Sequence, residues 1–343
     1  MRTLIVFLLA VVLGGVLGIY ASRTQPTSSI IDEVLTPLAS GTAGPAVPLP
    51  EGAENYGQAV LTDLNIRPCF DEDIRFSGDT PRLSRDRAVK TPPAAGEWVF
   101  PDLADYPGLV KLEKWNSELG TQREHCGAAR IAEHWFMTAS HCIGNDRVLG
   151  AAPNDIVLLT PSVDSDGEGV VPVPATGALC HYDWGTDRHR YPNDIALVYV
   201  ADPSAFADVA IVAFESADME LRRSDLTGLY ISGWGSNGNS RFLQGGAVAP
   251  FQVGASVIVT QRIGTTGPDV GDSGSPLYSR IDQTPTVVGV LAAVQPGQSE
   301  SDRNAIFVRV KGVRDWLDTT MALCEQDGRF VCGLTPAASV AVP

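Results

Sequence analysis

Positive charge is scarce in this sequence. Its 343 residues include 25 Lys and Arg against 40 Asp and Glu, a formal net charge of −15. Binding to nucleic acid or to an anionic membrane surface depends on clustered positive charge. The charge balance therefore argues against either as the main partner.

Metal-binding patterns are also missing. The six cysteines and five histidines form no Cys-x-x-Cys or His-x-x-x-His pattern, so we expect no metal and no other cofactor. The acidic turn Asp164–Gly169 clusters oxygen ligands of the kind that Ca²⁺ prefers. A solvated acidic hairpin is the interpretation that we favour there.

The N-terminus has the pattern of an export signal. Arg2 precedes an uninterrupted run of apolar and Gly residues from Leu4 to Tyr20, which predicts a signal peptide over residues 1–21. Because Ile19 fits a cleavage site poorly, a retained membrane anchor is the alternative. Either one predicts a secreted or periplasmic protein, in which six cysteines fit three disulfides.

Composition divides the rest of the chain. Residues 22–55 are rich in Pro, Ser and Gly and are typical of a linker. Residues 56–95 are more charged and are interpreted as a pro-segment or an N-terminal extension. From residue 96 onward, short apolar runs bounded by turn residues predict strands of an all-β barrel or sandwich. These runs are Ile156–Leu159, Ile195–Val200, Leu229–Trp234, Val287–Leu291 and Ile306–Val310.

Near the C-terminus the spacing becomes helical. Val313, Trp316, Leu317, Met321 and Cys324 recur at helical intervals, which predicts a C-terminal helix with its tryptophan facing the β core. Residues 326–343 are predicted to be a tail.

Three short motifs carry residues suited to catalysis. Gly271–Pro276 reads GDSGSP, and small residues around Ser273 would let backbone N–H groups converge on an oxyanion. His141 adjoins Cys142, and a disulfide from Cys142 to Cys126 would close a loop of roughly 15 residues, worth about 3 kcal/mol. Asp194 begins an apolar strand and could orient a histidine.

Together these motifs resemble the three signatures of the chymotrypsin-like serine proteases, in that family's order. The resemblance covers about residues 96–325 and also includes Gly233-Trp234-Gly235. It implies two six-stranded antiparallel β-barrels with the site in the cleft between them. It further implies a nucleophile Ser273, a general base His141, an orienting Asp194 and an oxyanion hole formed by the N–H groups of Gly271 and Ser273.

The substrate pocket departs from the family pattern. Gly267 stands at the specificity position, where a carboxylate would demand Lys or Arg in the substrate. Val294 and Ala305 are expected to line the pocket walls, which favours a small or medium apolar P1 residue. Ala292 replaces a serine that commonly binds the catalytic aspartate. Asp269 replaces a cysteine, so one family disulfide is absent.

Activation is the second departure. The resemblance implies that cleavage frees an N-terminal amine, which pairs with Asp272. The expected Ile-Val-Gly-Gly-like terminus is absent near residue 95, and Arg87–Val89 is one possible cleavage point. Asp272 held by an internal group is the alternative.

The remaining cysteines are assigned to Cys69–Cys180 and Cys324–Cys332, although sequence alone does not fix these pairs. We expect an exported serine endopeptidase that acts on proteins or peptides. The alternative is a catalytically weak homologue that serves as a binding or adaptor module. An esterase of the α/β-hydrolase type is disfavoured because its Gly-x-Ser-x-Gly elbow is missing.

Overall fold

Most of the described chain is β-strand, as its short β-branched runs predict. The computed structural model describes residues 66–69, 102–116, 121–144, 154–181, 191–235, 241–263, 267–295, 304–330 and 332. The predicted signal, the linker, most of the extension and the Arg87–Val89 site lie outside these residues. All described residues belong to one compact unit of the chain, Pro48–Pro343.

The first sheet is antiparallel and has eight strands in the order β1-β7-β8-β4-β3-β2-β5-β6. Its strands are β1 (Ile66–Pro68), β2 (Leu109–Asn116), β3 (Thr121–Arg130), β4 (Trp135–Thr138), β5 (Asn154–Leu159), β6 (Pro172–Pro174), β7 (Gly177–His181) and β8 (Ala196–Tyr199). Strands β4 and β8 are buried along their whole length, which explains why Ile195–Val200 reads as a continuous apolar run.

The second sheet follows the order β11-β10-β14-β15-β16-β13-β12, with β9 parallel to β15. Its strands are β9 (Ala213–Phe214), β10 (Tyr230–Gly233), β11 (Gln244–Ala247), β12 (Ala249–Val253), β13 (Val257–Gln261), β14 (Pro276–Ile281), β15 (Thr284–Val294) and β16 (Asn304–Arg309). All five apolar runs named from the sequence therefore lie on or beside strands.

Two curled antiparallel sheets confirm the predicted fold class. Counting only the described part of the chain, each sheet contains eight strands rather than the six expected, because short segments such as β1 and β9 pair with longer strands. Apolar runs of four or more residues can be recognised as strands from the sequence alone. Strands of two or three residues cannot, because they are defined only by their pairing with a neighbouring strand.

Among the residues that the structure describes, helical structure is sparse and ends in the predicted C-terminal helix. The helices are α1 (Ser140–Ile143), α2 (Arg223–Thr227) and α3 (Arg314–Cys324), with 3₁₀ turns at Leu103–Asp105, Ser204–Phe206 and Val310–Val313. Helix α3 buries Trp316, Leu317 and Cys324 as its spacing predicted, while Met321 is half-buried. Within the described residues, no helix is both long and apolar enough to cross a membrane.

Ordered structure continues past the predicted domain end at residue 325. Strands β17 (Glu325–Gln326) and β18 (Arg329–Phe330) form a hairpin, and a disulfide joins Cys324 to Cys332. The ring of Phe330 stacks on Tyr199 with centroids 5.2 Å apart and meets Trp135 edge-on at 5.9 Å. The start of the predicted tail is therefore packed against the first sheet.

The N-terminal extension is also joined to the first sheet. Strand β1 pairs with β7, and the disulfide Cys69–Cys180 closes beside that pairing. Both outer disulfides thus link the ends of the described chain to its core.

Candidate active site

His141 is held by a disulfide and a short helix. It is the second residue of α1, and its neighbour Cys142 is bonded to Cys126 on β3. The side chain of His141 is 38% exposed, so its ring is accessible from solvent. A disulfide at the adjacent residue restricts the backbone that carries this ring.

Asp194 places both of its carboxylate oxygens on His141. Oδ2 lies 2.7 Å from His141 Nδ1, and Oδ1 accepts a hydrogen bond of 2.9 Å from the backbone N–H of the same residue. Ser140 Oγ also donates to the carbonyl of Ile195 at 2.5 Å. Three contacts therefore lock the histidine segment to the aspartate segment, and Asp194 itself is 4% exposed.

Ser273 lies in a tight loop that is anchored to both sheets. The N–H of Gly127 on β3 donates to the carbonyl of Ser273 at 2.8 Å, and the N–H of Gly274 donates to Leu291 on β15 at 2.8 Å. Within the loop, Ser275 N–H donates to the carbonyl of Asp272 at 2.9 Å. Because Gly127 follows Cys126, strand β3 brings the serine loop to the histidine and its disulfide.

The backbone at Gly271 has a left-handed conformation that glycine tolerates best. Its φ is +94°, and a Cβ added there would strike Nε2 of His125. His125 Nε2 also lies 2.9 Å from the carbonyl oxygen of Trp234. A histidine that the sequence analysis did not single out therefore packs directly on the predicted oxyanion residue.

Asp272 is buried in a cradle made by the Gly-Trp-Gly motif. Its Oδ1 accepts the N–H of Gly235 at 2.7 Å, and its Oδ2 accepts the N–H of Asp269 at 3.0 Å. A Cβ on Gly233 or Gly235 would collide with this carboxyl group. Burial raises the pKa of Asp272 from 3.8 to about 7, although both backbone hydrogen bonds lower it.

In this structure the groups that donate hydrogen bonds to the Asp272 carboxylate are backbone amides. Asp269, which stands where the family has a cysteine, supplies one of them. The resemblance also implies that Ala292 removes a serine partner from Asp194. In the structure both Asp194 oxygens contact His141.

The predicted pocket residues lie on neighbouring strands. Val294 on β15 pairs with Ala305 on β16, and Ala292 is buried on β15 two residues before Val294. Gly267 is buried too, but the side chain of Arg262 fills the space that a Cβ there would need. The sequence carried no signal for Arg262, because residue spacing alone does not show that its side chain contacts Gly267.

Two clusters that could suggest a metal have other roles. Asp164 forms a two-point ion pair with Arg241, at 2.5 Å for each contact, so this carboxylate has an arginine partner within the protein. Cys126, His141 and Cys142 lie close together, but the two sulfurs are joined in a disulfide. Neither arrangement resembles an open ligand set.

Comparison with known proteins assigns the sequence to a family. A profile of the family described as Trypsin matches residues 110–317, more than half of the chain. The chain belongs to the trypsin family of chymotrypsin-like serine proteases. The residues of this chain that match the trypsin family include His141, Asp194 and Ser273.

Individual relatives in the trypsin family are distant. "Proproteinase E" of Bos taurus is 27% identical over 226 residues, 59% of this chain and 86% of the relative. "Chymotrypsin-like elastase family member 3B" of Macaca mulatta is 27% identical over 235 residues, 63% of this chain and 89% of the relative. "Collagenase" of Hypoderma lineatum is 25% identical over 209 residues, 57% of this chain and 76% of the relative.

Proposed function

We propose that this protein is an exported serine endopeptidase that hydrolyses peptide bonds through Ser273, His141 and Asp194. The observation that carries the proposal is the contact of Asp194 with two atoms of His141. A carboxylate at Nδ1 fixes the tautomer that leaves Nε2 able to accept a proton, and it stabilises the imidazolium that forms. This is the arrangement that a serine hydroxyl needs to become a nucleophile at neutral pH.

The reaction has two halves. Ser273 Oγ attacks the carbonyl carbon of the peptide while His141 takes the hydroxyl proton, and the N–H groups of Gly271 and Ser273 receive the oxyanion. His141 then gives its proton to the leaving amine, and the acyl group stays on Ser273. Water, deprotonated by His141, releases the acid and restores the serine.

Proteins or peptides are the proposed substrates. The names of the relatives, an elastase and a collagenase among them, are those of proteases. The predicted preference for a small or medium apolar P1 residue rests on Val294 and Ala305 and stays a prediction. This prediction does not include the side chain of Arg262, which lies against Gly267.

Export and processing are part of the proposal. Three disulfides are typical of proteins in an oxidising compartment, and the sequence of residues 1–21 provides an export signal or an anchor. N-terminal sequencing of the exported protein separates two forms. A terminus between about residue 85 and about residue 102 supports activation by cleavage, in which a new amine would reach Asp272. A terminus near residue 22 supports an enzyme that keeps Asp272 on its backbone partners.

A fluorophosphonate probe tests the catalytic proposal, because it reacts with activated serines. We expect the exported protein and a Ser204→Ala control to be labelled, since Ser204 is an exposed residue of a 3₁₀ turn and is not one of the three proposed catalytic residues. Ser273→Ala should lose the label. Equal labelling of wild type and Ser273→Ala, or none of either, would instead support the adaptor alternative.

A further inference from the structure

His125 contacts two separate parts of the candidate site. Nε2 of its half-buried ring lies 2.9 Å from the carbonyl oxygen of Trp234. The same edge of the ring covers Gly271, because a Cβ built on that glycine would clash with Nε2 and stand 2.9 Å from Cε1 and 3.1 Å from Cδ2. The imidazole therefore touches the Gly-Trp-Gly motif and the predicted oxyanion residue at once.

Strand β3 directs the ring of His125 toward the serine loop. His125 and Gly127 are two residues apart on β3, so their Cα–Cβ directions share one face of the strand. On that face Gly271 meets His125, and a Cβ on Gly127 would strike Oγ of Ser275. The N–H of Gly127 also donates to the carbonyl of Ser273 at 2.8 Å. The position of the ring is therefore set by a strand that is bonded to the serine loop.

The hydrogen bond of His125 continues through one peptide group to Asp272. A carbonyl oxygen only accepts hydrogen bonds, so the contact with Trp234 requires a hydrogen on Nε2. The nitrogen of that same peptide group belongs to Gly235, and its N–H donates to Asp272 Oδ1 at 2.7 Å. A donor at the carbonyl polarises the group and strengthens its N–H as a donor. The chain of hydrogen bonds ends on the residue directly before Ser273.

These contacts restrict the backbone at Gly271 from two directions. Glycine has more conformational freedom than any other residue, so its N–H keeps one direction only where the surroundings restrict it. The ring of His125 covers its Cα, and the following residue, Asp272, is fixed through both carboxylate oxygens. His125 contributes to both restrictions, directly at Gly271 and through Trp234 at Asp272.

We propose that His125 is a positioning residue that holds the N–H of Gly271 where the oxyanion forms. The proposal rests on the proposed protease function. His125 acts through Gly271, and its contribution grows as negative charge develops on the substrate oxygen. Removal of the Nε2 donor should therefore lower kcat and leave KM nearly unchanged.

Substitutions that separate the ring from its donor test the hydrogen bond. His125→Phe keeps a flat ring over Gly271 but cannot donate to Trp234, and we expect kcat about tenfold lower with KM within about twofold. His125→Gln carries an amide N–H of similar reach and should keep kcat within about threefold of wild type.

His134→Phe is the matched control. The Nδ1 atom of His134 lies 2.9 Å from the carbonyl oxygen of Val200, and its ring stacks on Tyr199. The substitution removes the same kind of histidine-to-carbonyl contact from a residue that is not one of those proposed for the reaction. We expect His134→Phe to leave kcat unchanged.

A peptide aldehyde separates oxyanion stabilisation from substrate binding. Ser273 Oγ adds to the aldehyde carbon, its proton passes to His141, and the carbonyl oxygen becomes the oxyanion. In His125→Phe the inhibition constant should rise by the factor by which kcat/KM falls. An uncleaved peptide should bind to Ser273→Ala and to Ser273→Ala/His125→Phe with affinities within about twofold of each other.

Three results would overturn the role of His125. They are a folded His125→Phe enzyme with wild-type kcat, a His125→Gln enzyme that loses as much rate as His125→Phe, and a loss of equal size in His134→Phe. Thermal melting of each variant shows whether it is folded.

NMR of the histidine ring separates this proposal from the protease function. Two-bond ¹H–¹⁵N spectra of the folded wild type show which nitrogen of His125 carries a hydrogen, and His125→Phe or His125→Gln assigns the signal. A hydrogen on Nε2 supports the bond to Trp234 even in an inactive protein. A fluorophosphonate-labelled enzyme with hydrogen on Nδ1 alone keeps the protease function and rejects the role of His125. An unlabelled wild type rejects the protease function and, with it, any role of His125 in catalysis.

Discussion

At the scale of single residues, the contact between His125 and Gly271 explains a constraint on the serine loop. The backbone at Gly271 has φ +94°, and His125 lies where a side chain would project. The N–H of this residue is proposed to receive the oxyanion, so its orientation matters for the reaction and not only for folding.

Gly271→Ala is expected to lower kcat by about 10²-fold with a smaller change in KM, because it displaces a donor that acts mainly in the transition state. The double variant Gly271→Ala/His125→Ala removes the clash but keeps the unfavourable φ, and it should recover only part of the rate. Steady-state kinetics on folded protein measure both. A Gly271→Ala enzyme with wild-type kcat would show that this N–H is not used.

Titration of Asp272 makes the free energy of unfolding of the uncleaved chain depend on pH. Its pKa of about 7 lies above the ordinary value of 3.8 because of burial, so the folded state binds this proton more tightly than the unfolded state does. The stabilisation is complete below the ordinary value and is lost as pH rises through about 7. Of the charged groups nearby, Asp269 raises the pKa of Asp272 and Arg262 lowers it. The ring of His125 packs on the neighbouring Gly271.

Asp272→Asn removes this titration. Between about pH 5 and about pH 8, the free energy of unfolding of the uncleaved wild type should fall relative to that of the variant by a few kcal/mol. Urea denaturation of both proteins at each pH measures the difference. A difference that stays constant across this range would contradict the assigned pKa.

At the scale of elements, the sequence predicted the long strands and the last helix because these carry their own apolar pattern. Ile306–Val310 and the face of Trp316 and Leu317 are examples. Strand β1 and the hairpin of β17 and β18 were not predicted, because strand pairing and disulfides define them and the local sequence does not. The predicted triad follows local motifs, whereas the contacts of Arg262 and His125 join distant segments and have no local signature.

A buried ion pair ties the end of β16 to the segment after β9. Arg309 Nη2 lies 2.6 Å from Glu215 Oε1, and the glutamate side chain is fully buried. Arg309→Met leaves that carboxylate without its partner and should destabilise the fold by about 3–5 kcal/mol. Asp318→Asn, which breaks the more exposed Arg314–Asp318 pair, should cost less than about 1 kcal/mol. Comparable losses in the two variants, measured by urea denaturation, would contradict this difference.

At the scale of the whole molecule, the disulfide Cys69–Cys180 joins residues 111 positions apart. In the chain-entropy model, a loop of about this length is worth about 5 kcal/mol. The disulfide also predicts the fate of the N-terminal segment after cleavage between Cys69 and Asp102. We expect the two pieces to migrate together in denaturing gels without reductant and to separate with it.

Cys69→Ser serves as the control for this tether, because its two pieces should separate even without reductant. Separation of the cleaved wild-type pieces under non-reducing conditions would exclude the disulfide as the link.

Asp194 and His141 are proposed to activate Ser273, which then forms an acyl-enzyme. Intact-protein mass spectrometry after rapid mixing of the exported protein with an activated ester tests it most directly. The predicted result is a transient acyl adduct mapped to Ser273, formed about 10⁴-fold more slowly in Asp194→Asn, which holds the wrong histidine tautomer. An adduct on another residue, or a rate unchanged by Asp194→Asn, would exclude the proposed roles of these three residues.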